Sequence, residues 1–385
     1  MNCYRLLASQ YFDGTQFHNN KVLTITHGII TAIDDDIQNY DQAVSGLLTA
    51  GFIDLQVNGG GDVLFNGTPS LSGLAAIIDA HLAFGTTSML PTVITDNANV
   101  MVQAADTIAQ AIREQLPGVL GIHFEGPHLS VAKKGAHSAP LIRPMSDVEW
   151  QLFVRADLGQ VVVTLAPEQV ACADITKLTG QGVKVCLGHS NADFDTTQRA
   201  IAAGADGFTH LFNAMSPLQA RAPGMVGCAL LNDHTYAGII IDGQHVDYQT
   251  AKIAMRMKPN GRLFLVTDAM PPVGGQASEF NFFDRTVQLD DGKLTSTTGE
   301  LAGSILDMAS AVRNTVHGMG VALAEALRMA SLYPAQYLAQ DYRLGKLAVN
   351  YQADMVLLNE QLEVQATWVA GIQRVNKQVN NEEKI

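Results

Sequence analysis

Basic residues are in short supply in this chain: 24 Lys and Arg face 37 Asp and Glu across 385 residues, a formal net charge of −13. Nucleic acids and anionic membranes both select for an excess of positive charge, so neither is expected as a partner. A small anionic ligand held by a few locally focused basic side chains stays open. Cysteine is scarce too. Cys3, Cys172, Cys186 and Cys228 are scattered with no C-x-x-C spacing, and they read as reduced thiols, mostly in the core, of a cytoplasmic protein. No apolar run approaches the roughly 20 residues of a membrane span. Met1 is not followed by a basic and then an apolar region, so secretion is not expected. The glycine-rich dinucleotide fingerprint is also missing: Gly59 to Gly61 follow a strand, but the third glycine of that pattern would fall on Leu64. A loop of close backbone approach is the better reading. There is no internal repeat and no low-complexity linker.

What is present is a globular composition, 47% hydrophobic and 16% charged, in a chain longer than one core usually serves. A large catalytic domain with a smaller companion is expected. Short apolar runs recur and end in polar residues: Gly-Ile-His-Phe-Glu-Gly-Pro at 121–127, Val-Cys-Leu-Gly-His-Ser at 185–190, Gly-Phe-Thr-His-Leu-Phe-Asn-Ala-Met at 207–215, and Leu-Phe-Leu-Val-Thr-Asp-Ala at 263–269. A buried parallel strand reads as a continuous apolar run, and in a β/α barrel the strand C-termini face the active site. Eight such strands are predicted, at 51–57, 86–91, 119–124, 161–165, 183–187, 207–209, 237–241 and 263–267. Helical periodicity lies between most of them, as at 72–84, 97–115 and 195–203.

The fold class is therefore α/β, a (β/α)8 TIM-like barrel over 49–342, with a small β-sandwich domain formed by both chain ends, 1–48 and 343–385. The end segments carry short β-type runs separated by Asp-Gly, Asn-Asn and His-Gly turns. A hairpin is expected at 284–293, and the charged tail at 380–384 should fray.

Glu125, His189, His210 and Asp268 would converge at one end of such a barrel. A divalent metal needs suitable donors from rigid elements and an open position for water or substrate. One Glu and two His ending different strands meet that need. The donor set suits Zn2+, with Fe2+, Co2+ and Mn2+ also compatible. A carboxylate beside the activated water, Asp268, can take its proton and return it to a leaving nitrogen, which suits amide hydrolysis. Each residue alone has a plainer explanation: a hydrogen-bonded strand-end His, a turn-capping Glu, an N-capping Asp. Four together favour one site.

These residues sit in an ordered set of motifs: Ala-Gly-Phe-Ile-Asp-Leu-Gln-Val-Asn-Gly (50–59), His-Phe-Glu-Gly-Pro (123–127), Lys-Lys-Gly-Ala-His (133–137), Gly-His-Ser (188–190), Thr-His-Leu-Phe-Asn-Ala-Met (209–215), Asp-Gly-Gln-His-Val (242–246), Val-Thr-Asp-Ala (266–269) and Leu-Ala-Gly-Ser (301–304). In them the chain resembles, over nearly its whole length, the N-acetylglucosamine-6-phosphate deacetylases of the amidohydrolase superfamily. The resemblance implies one divalent metal per subunit on Glu125, His189 and His210, with Asp268 as catalytic acid/base and His137 on the acetyl carbonyl. It implies substrate contacts at Ala136 and Leu301, and at Asn213 and Ala214 (main chain), Arg221 and His245 toward the sugar phosphate. It also implies a homodimer or higher homo-oligomer in which the Arg reaches a neighbouring subunit. Most of the superfamily carries His-x-His at the end of strand one for a second metal. Here Gln56 and Asn58 stand at those vestigial second-metal positions, and amides are poor Zn2+ ligands. The expected reaction is removal of acetate from N-acetyl-D-glucosamine 6-phosphate. Alternatives are a related N-acyl amino-sugar phosphate, a cyclic amide, or a scaffold that has lost catalysis.

Overall fold

Eight parallel strands follow one another in chain order around a single sheet: Phe52–Val57, Thr86–Ile94, Gly121–Glu125, Gln160–Leu165, Lys184–Leu187, Gly207–Phe208, Tyr236–Ile239 and Leu263–Leu265. The computed structural model describes residues 3–67, 69–283, 285–297 and 299–376. The first three strands are buried at every position, because helices cover the outside while side chains fill the inside. The helices Leu71–Leu82 and Ala98–Arg113 follow strands one and two, capped by the Ser70 and Asn97 side chains. The helix Phe194–Ala202 follows strand five, capped by Asp193. The eighth strand returns to the first through main-chain bonds beyond the ladder: Asn58 N donates to Ala269 O at 2.9 Å and Asp268 N to Gln56 O at 3.0 Å.

Strands six and eight are shorter than the apolar runs suggested. Residues two or three positions past strands five, six and eight take left-handed backbone: His189 at φ +47°, His210 at +34° and Asp268 at +54°. A non-glycine residue there is strained and breaks the ladder. All three are predicted site residues.

Both chain ends form the small β domain. Strands Cys3–Phe12, Phe17–Thr26, Ile29–Asp34 and Gln42–Ala50 join Met355–Leu358, Val364–Val369 and Ile372–Asn376 in one seven-stranded sheet. Its own core gathers Leu6, Leu23, Ile30, Leu48, Met355 and Trp368. The two parts touch where Gly51 N donates to Asp354 O and Thr367 Oγ1 to Leu82 O.

The glycines at 59–61 do approach other backbone closely: a Cβ on Gly59 would lie 2.4 Å from Val63 O. The expected hairpin after strand eight is part of a three-stranded antiparallel sheet, Glu279–Phe282, Arg285–Asp290 and Lys293–Ser296. Its proposed first residue, Asp284, and the tail at 380–384 lie outside the described residues. The cysteine reading needs correction. Cys186 and Cys228 are buried, but Cys3 and Cys172 are exposed, one opening a strand and the other a helix on its solvent side. Among the described residues no helix is long and apolar enough to cross a membrane.

Candidate active site

The barrel floor fixes the site from below. His123, two residues before Glu125 and on the same inward face, is fully buried. Its Nδ1 lies 3.1 Å from Leu55 O and its Nε2 2.7 Å from Thr164 Oγ1, which in turn lies 2.6 Å from Thr209 Oγ1. A carbonyl can only accept, so Nδ1 carries the proton and Nε2 accepts from Thr164; Thr164 then accepts from Thr209. Burial pushes the His123 ring down to about 4, in keeping with this neutral tautomer. The chain of bonds ties strands one, three, four and six together one residue below His210.

Above the floor, Glu125 Oε1 lies 3.2 Å from His189 Nε2 and 3.0 Å from His210 Nε2, and the two Nε2 atoms are 3.0 Å apart. These three side chains are at most 7% exposed. His189 Nδ1 donates to Lys133 O at 2.9 Å, which aims its Nε2 at the cluster. Ligands about 2.0–2.1 Å from a tetrahedral ion stand roughly 3.3 Å apart, close to the spacing of this triangle. Burial alone would raise the Glu125 carboxyl, but the two imidazoles outweigh it and hold the group well below the usual carboxylate range. An ionised carboxylate buried against two imidazoles requires a positive charge beside it. His210 shows the same demand: burial opposes its protonation, yet the pull of Glu125 raises it. The donor set therefore fits a divalent cation.

Asp268 stands across the cavity. Burial, reinforced by the charge of Glu125, pushes its carboxyl up to about 6 against the opposing pull of His210, His245 and a hydrogen bond from Asn58. Its position is braced by Ser304, whose N donates to Asp268 O at 2.9 Å and whose Oγ donates to Thr267 O at 2.6 Å. Gly303 fits beneath at φ +65°, where a Cβ would fall 2.9 Å from Asp268 O.

A cavity of about 170 Å3 opens over these groups. It brings together Glu125, His189, His210 and Asp268 with Asn58, Ala136 and His137. Asn213, Ala214, His245 and Leu301 line it as well. Burial first, and then the charge of His189, push the His137 ring down to about 3, so it is neutral and keeps one N–H to donate. Its Nδ1 has no hydrogen-bond partner among the described residues. His245 is held by Asp242, whose Oδ2 lies 2.6 Å from His245 Nδ1. Gln56 lies just beneath the cavity, its Nε2 between Glu125 and Asp268. Arg221 is apart: exposed, it lines a separate groove with Asn191, Asp193 and Pro217.

Two features escape the sequence reading. Asp54 is fully buried and accepts from Gln56 N, Thr267 N and Thr267 Oγ1, which stitches strand one to strand eight beside Asp268. Burial pushes it up to about 7 in spite of these bonds. A charged residue in an apolar strand, in period-two step with Gln56 and Asn58, was the available signal. The second is an apolar wall of Ile94, Met270 and Phe282, packed with Ala136 and Ala302. Phe282 comes from the inserted three-stranded sheet, which Lys134 and Arg285 tether through Glu300.

The sequence profile of the amidohydrolase family matches residues 47–373. The chain belongs to that family. Among its amidohydrolase relatives, an N-acetylgalactosamine-6-phosphate deacetylase of Shewanella sp. (strain ANA-3) is 48% identical over 356 residues, 91% of this chain and 90% of that one. An N-acetylglucosamine-6-phosphate deacetylase of Haemophilus influenzae is 35% identical over 329 residues, covering 84% of this chain and 85% of its own. The crystal structure of N-acetylglucosamine-6-phosphate deacetylase from Pasteurella multocida superposes with a TM-score of 0.93 at 37% identity, over 97% of this chain and all of that one. The likeness carried by the motifs is thus the one these relatives show. Amidohydrolases are metal-dependent, and Glu125, His189 and His210 form the buried cluster able to hold an ion among the described residues.

A cation that binds only the folded protein stabilises it by about 2.7 kcal/mol at a hundredfold excess over its dissociation constant. Micromolar Zn2+ added to chelator-treated protein should therefore raise the unfolding temperature. Glu125→Ala should remove that rise, and a rise of equal size in the variant would place the ion elsewhere.

Proposed function

We propose that this amidohydrolase removes acetate from N-acetyl-D-glucosamine 6-phosphate, giving D-glucosamine 6-phosphate. The observation that carries the reading is a buried carboxylate pushed up to about 6 facing a Glu-His-His donor triangle inside one small cavity. The likeness to deacetylases of amino-sugar phosphates supports the substrate class. A second reading, the C4 epimer N-acetyl-D-galactosamine 6-phosphate, is favoured by the 48% identity to the Shewanella enzyme.

Glu125, His189 and His210 would hold one divalent ion per subunit, Zn2+ being the natural choice for this donor set. Such an ion, when bound, polarises the acetyl carbonyl and makes water more acidic. Asp268 takes the proton of the attacking water as the new carbon-oxygen bond forms. His137, neutral and with an N–H to give, donates to the carbonyl oxygen as charge builds there. Asp268 then passes its proton to the nitrogen, the carbon-nitrogen bond breaks, and acetate and the free amine leave. His245, oriented by Asp242, and the main chain of Asn213 and Ala214 receive the sugar-phosphate end. The acetyl methyl goes to the wall of Ile94, Met270 and Phe282. Arg221 completes the phosphate site from a neighbouring copy in a homodimer, which accounts for its distance from the cavity of its own chain. The shortage of basic residues and the reduced cysteines fit a cytoplasmic enzyme.

Acetate release from both epimers should vanish on stripping with chelator and return with one equivalent of Zn2+; no release from either substrate by the metal-loaded protein would sink the reading. The epimer with the higher kcat/KM is the substrate. Asp268→Asn should keep fold and metal but lose about 10²- to 10⁴-fold in kcat. In the wild type the base must be ionised, so kcat/KM should fall as pH drops through about 6 or, with a cation nearby favouring the carboxylate, somewhat lower. A flat profile from pH 7 to 4 would remove Asp268 as the base. Arg221→Ala should raise KM for the phosphorylated sugar well above any change for its unphosphorylated analogue, and an equal effect on both would rule out the phosphate contact.

A further inference from the structure

Asp268 uses its two carboxylate oxygens differently. Oδ1 receives Asn58 Nδ2 at 2.6 Å and Gln56 Nε2 at 3.0 Å. Oδ2 makes no hydrogen bond within the described residues. A carboxylate only accepts, so the amide nitrogens, not the oxygens, must face it, and the orientation of both amides is settled. Asn58 and Gln56 are each 2% exposed. Their backbones are fastened to the loop that carries Asp268, by the bonds from Asn58 N to Ala269 O and from Asp268 N to Gln56 O. Gln56 Nε2 also reaches Glu125 Oε1 at 3.2 Å, so one amide group bridges the acid/base carboxylate and the ligand carboxylate. Asp54 anchors the same strip, accepting from Gln56 N and from both donors of Thr267.

We infer that Gln56 and Asn58 are positioning residues for Asp268. Their amides pin Oδ1, and this turns Oδ2 toward the cavity as the oxygen that takes the proton from water and returns it to the nitrogen. They are more than the vestige of a second metal site. Where the paired histidines carried by most of the superfamily at the end of strand one would place a cation, this chain places two neutral donors. A free carboxylate swings about its terminal torsion, whereas one held by two N–H groups on a single oxygen meets the reacting water in one orientation. Misplacing a catalytic group by about 1 Å costs on the order of a hundredfold. The inference rests on the assignment of Asp268 as acid/base. With Nδ2 committed to Asp268, Asn58 Oδ1 is left buried without a hydrogen-bond partner among the described residues.

The test is Asn58→Leu, similar in shape without a donor, beside Asn58→Ala in case Leu does not fold, and Gln56→Leu. Each metal-loaded variant is assayed on the better hexosamine 6-phosphate, and its metal content and crystal structure are determined. The expected result is a fall in kcat of roughly 10- to 100-fold for the Asn58 variants and less for Gln56→Leu, with KM within about twofold and metal content unchanged. In the crystals the Asp268 carboxylate should rotate or occupy two orientations. A kcat within twofold of wild type, or an Asp268 carboxylate that stays in place without its Asn58 donor, overturns the inference. A loss confined to metal content or KM would do so too, by assigning Asn58 to the metal or the substrate instead. Should the wild type turn over neither substrate, the functional reading fails, and the crystals still decide whether the amides orient Asp268.

Discussion

The site depends on one costly arrangement, an ionised Glu125 carboxylate sunk into a barrel with two imidazole nitrogens about 3 Å away. Burying a charge is unfavourable unless an opposite charge and good donors accompany it. The carboxylate therefore needs partners held by rigid strands, and an eight-stranded barrel supplies them. The left-handed residues at the ends of strands five, six and eight turn the imidazoles and Asp268 inward at the cost of local strain. The buried His123, Thr164 and Thr209 chain below and the Ser304 brace beside Asp268 hold the strained ends at His210 and Asp268 in place.

Two carboxylates in the same cavity are set to different tasks by their neighbours. Burial raises both. Glu125 has two imidazoles against it and is held well below the usual carboxylate range, as the proposed ligand must be; at Asp268 burial and the repulsion of Glu125 outweigh the pull of His210, His245 and the Asn58 amide, and the carboxyl is pushed up to about 6, which suits the proposed acid/base role. Separation of paired acidic groups by environment is how one fold assigns ligand and acid/base roles. Asp54 makes a third case: fully enclosed and pushed up to about 7, it gives up solvation to join strand one to strand eight.

Much of this was legible because buried parallel strands leave continuous apolar runs, and polar residues ending such runs have few reasons to be there. Glu125, His189, His210 and Asp268 were found in this way, and the cavity joins all four. What could not be read depends on distant pairings. The Asp54 bond to Thr267 spans 213 positions and has no local signature beyond an acid in an apolar strand. Phe282 reaches the cavity only because the inserted three-stranded sheet folds back over it, and a hairpin's turn signals say nothing about where it docks. The shortness of strand six follows from the backbone of His210, which propensity does not report. Asp242 behind His245 was in plain view within its motif, but its role appears only once the ring is seen against it.

The scarcity of basic residues returns at the cavity itself. Among the described residues that line it there is no Lys or Arg. Histidines, amides and main chain can orient an anionic end group, yet a phosphate held mainly by neutral donors is held weakly compared with one met by a guanidinium fork. For the proposed sugar-phosphate substrate, positive charge would then come from outside the lining. Lys134 is already engaged with Glu300, and Arg221 faces solvent from a groove of its own. On the proposed reading, an acidic chain that keeps Arg221 on an exposed loop leaves the phosphate end of a single subunit's cavity without a basic side chain. Closing that site by the proposed second copy would confine the strongest attraction for phosphate to the assembled form, leaving the proposed hydrolytic groups of each barrel intact on their own strands.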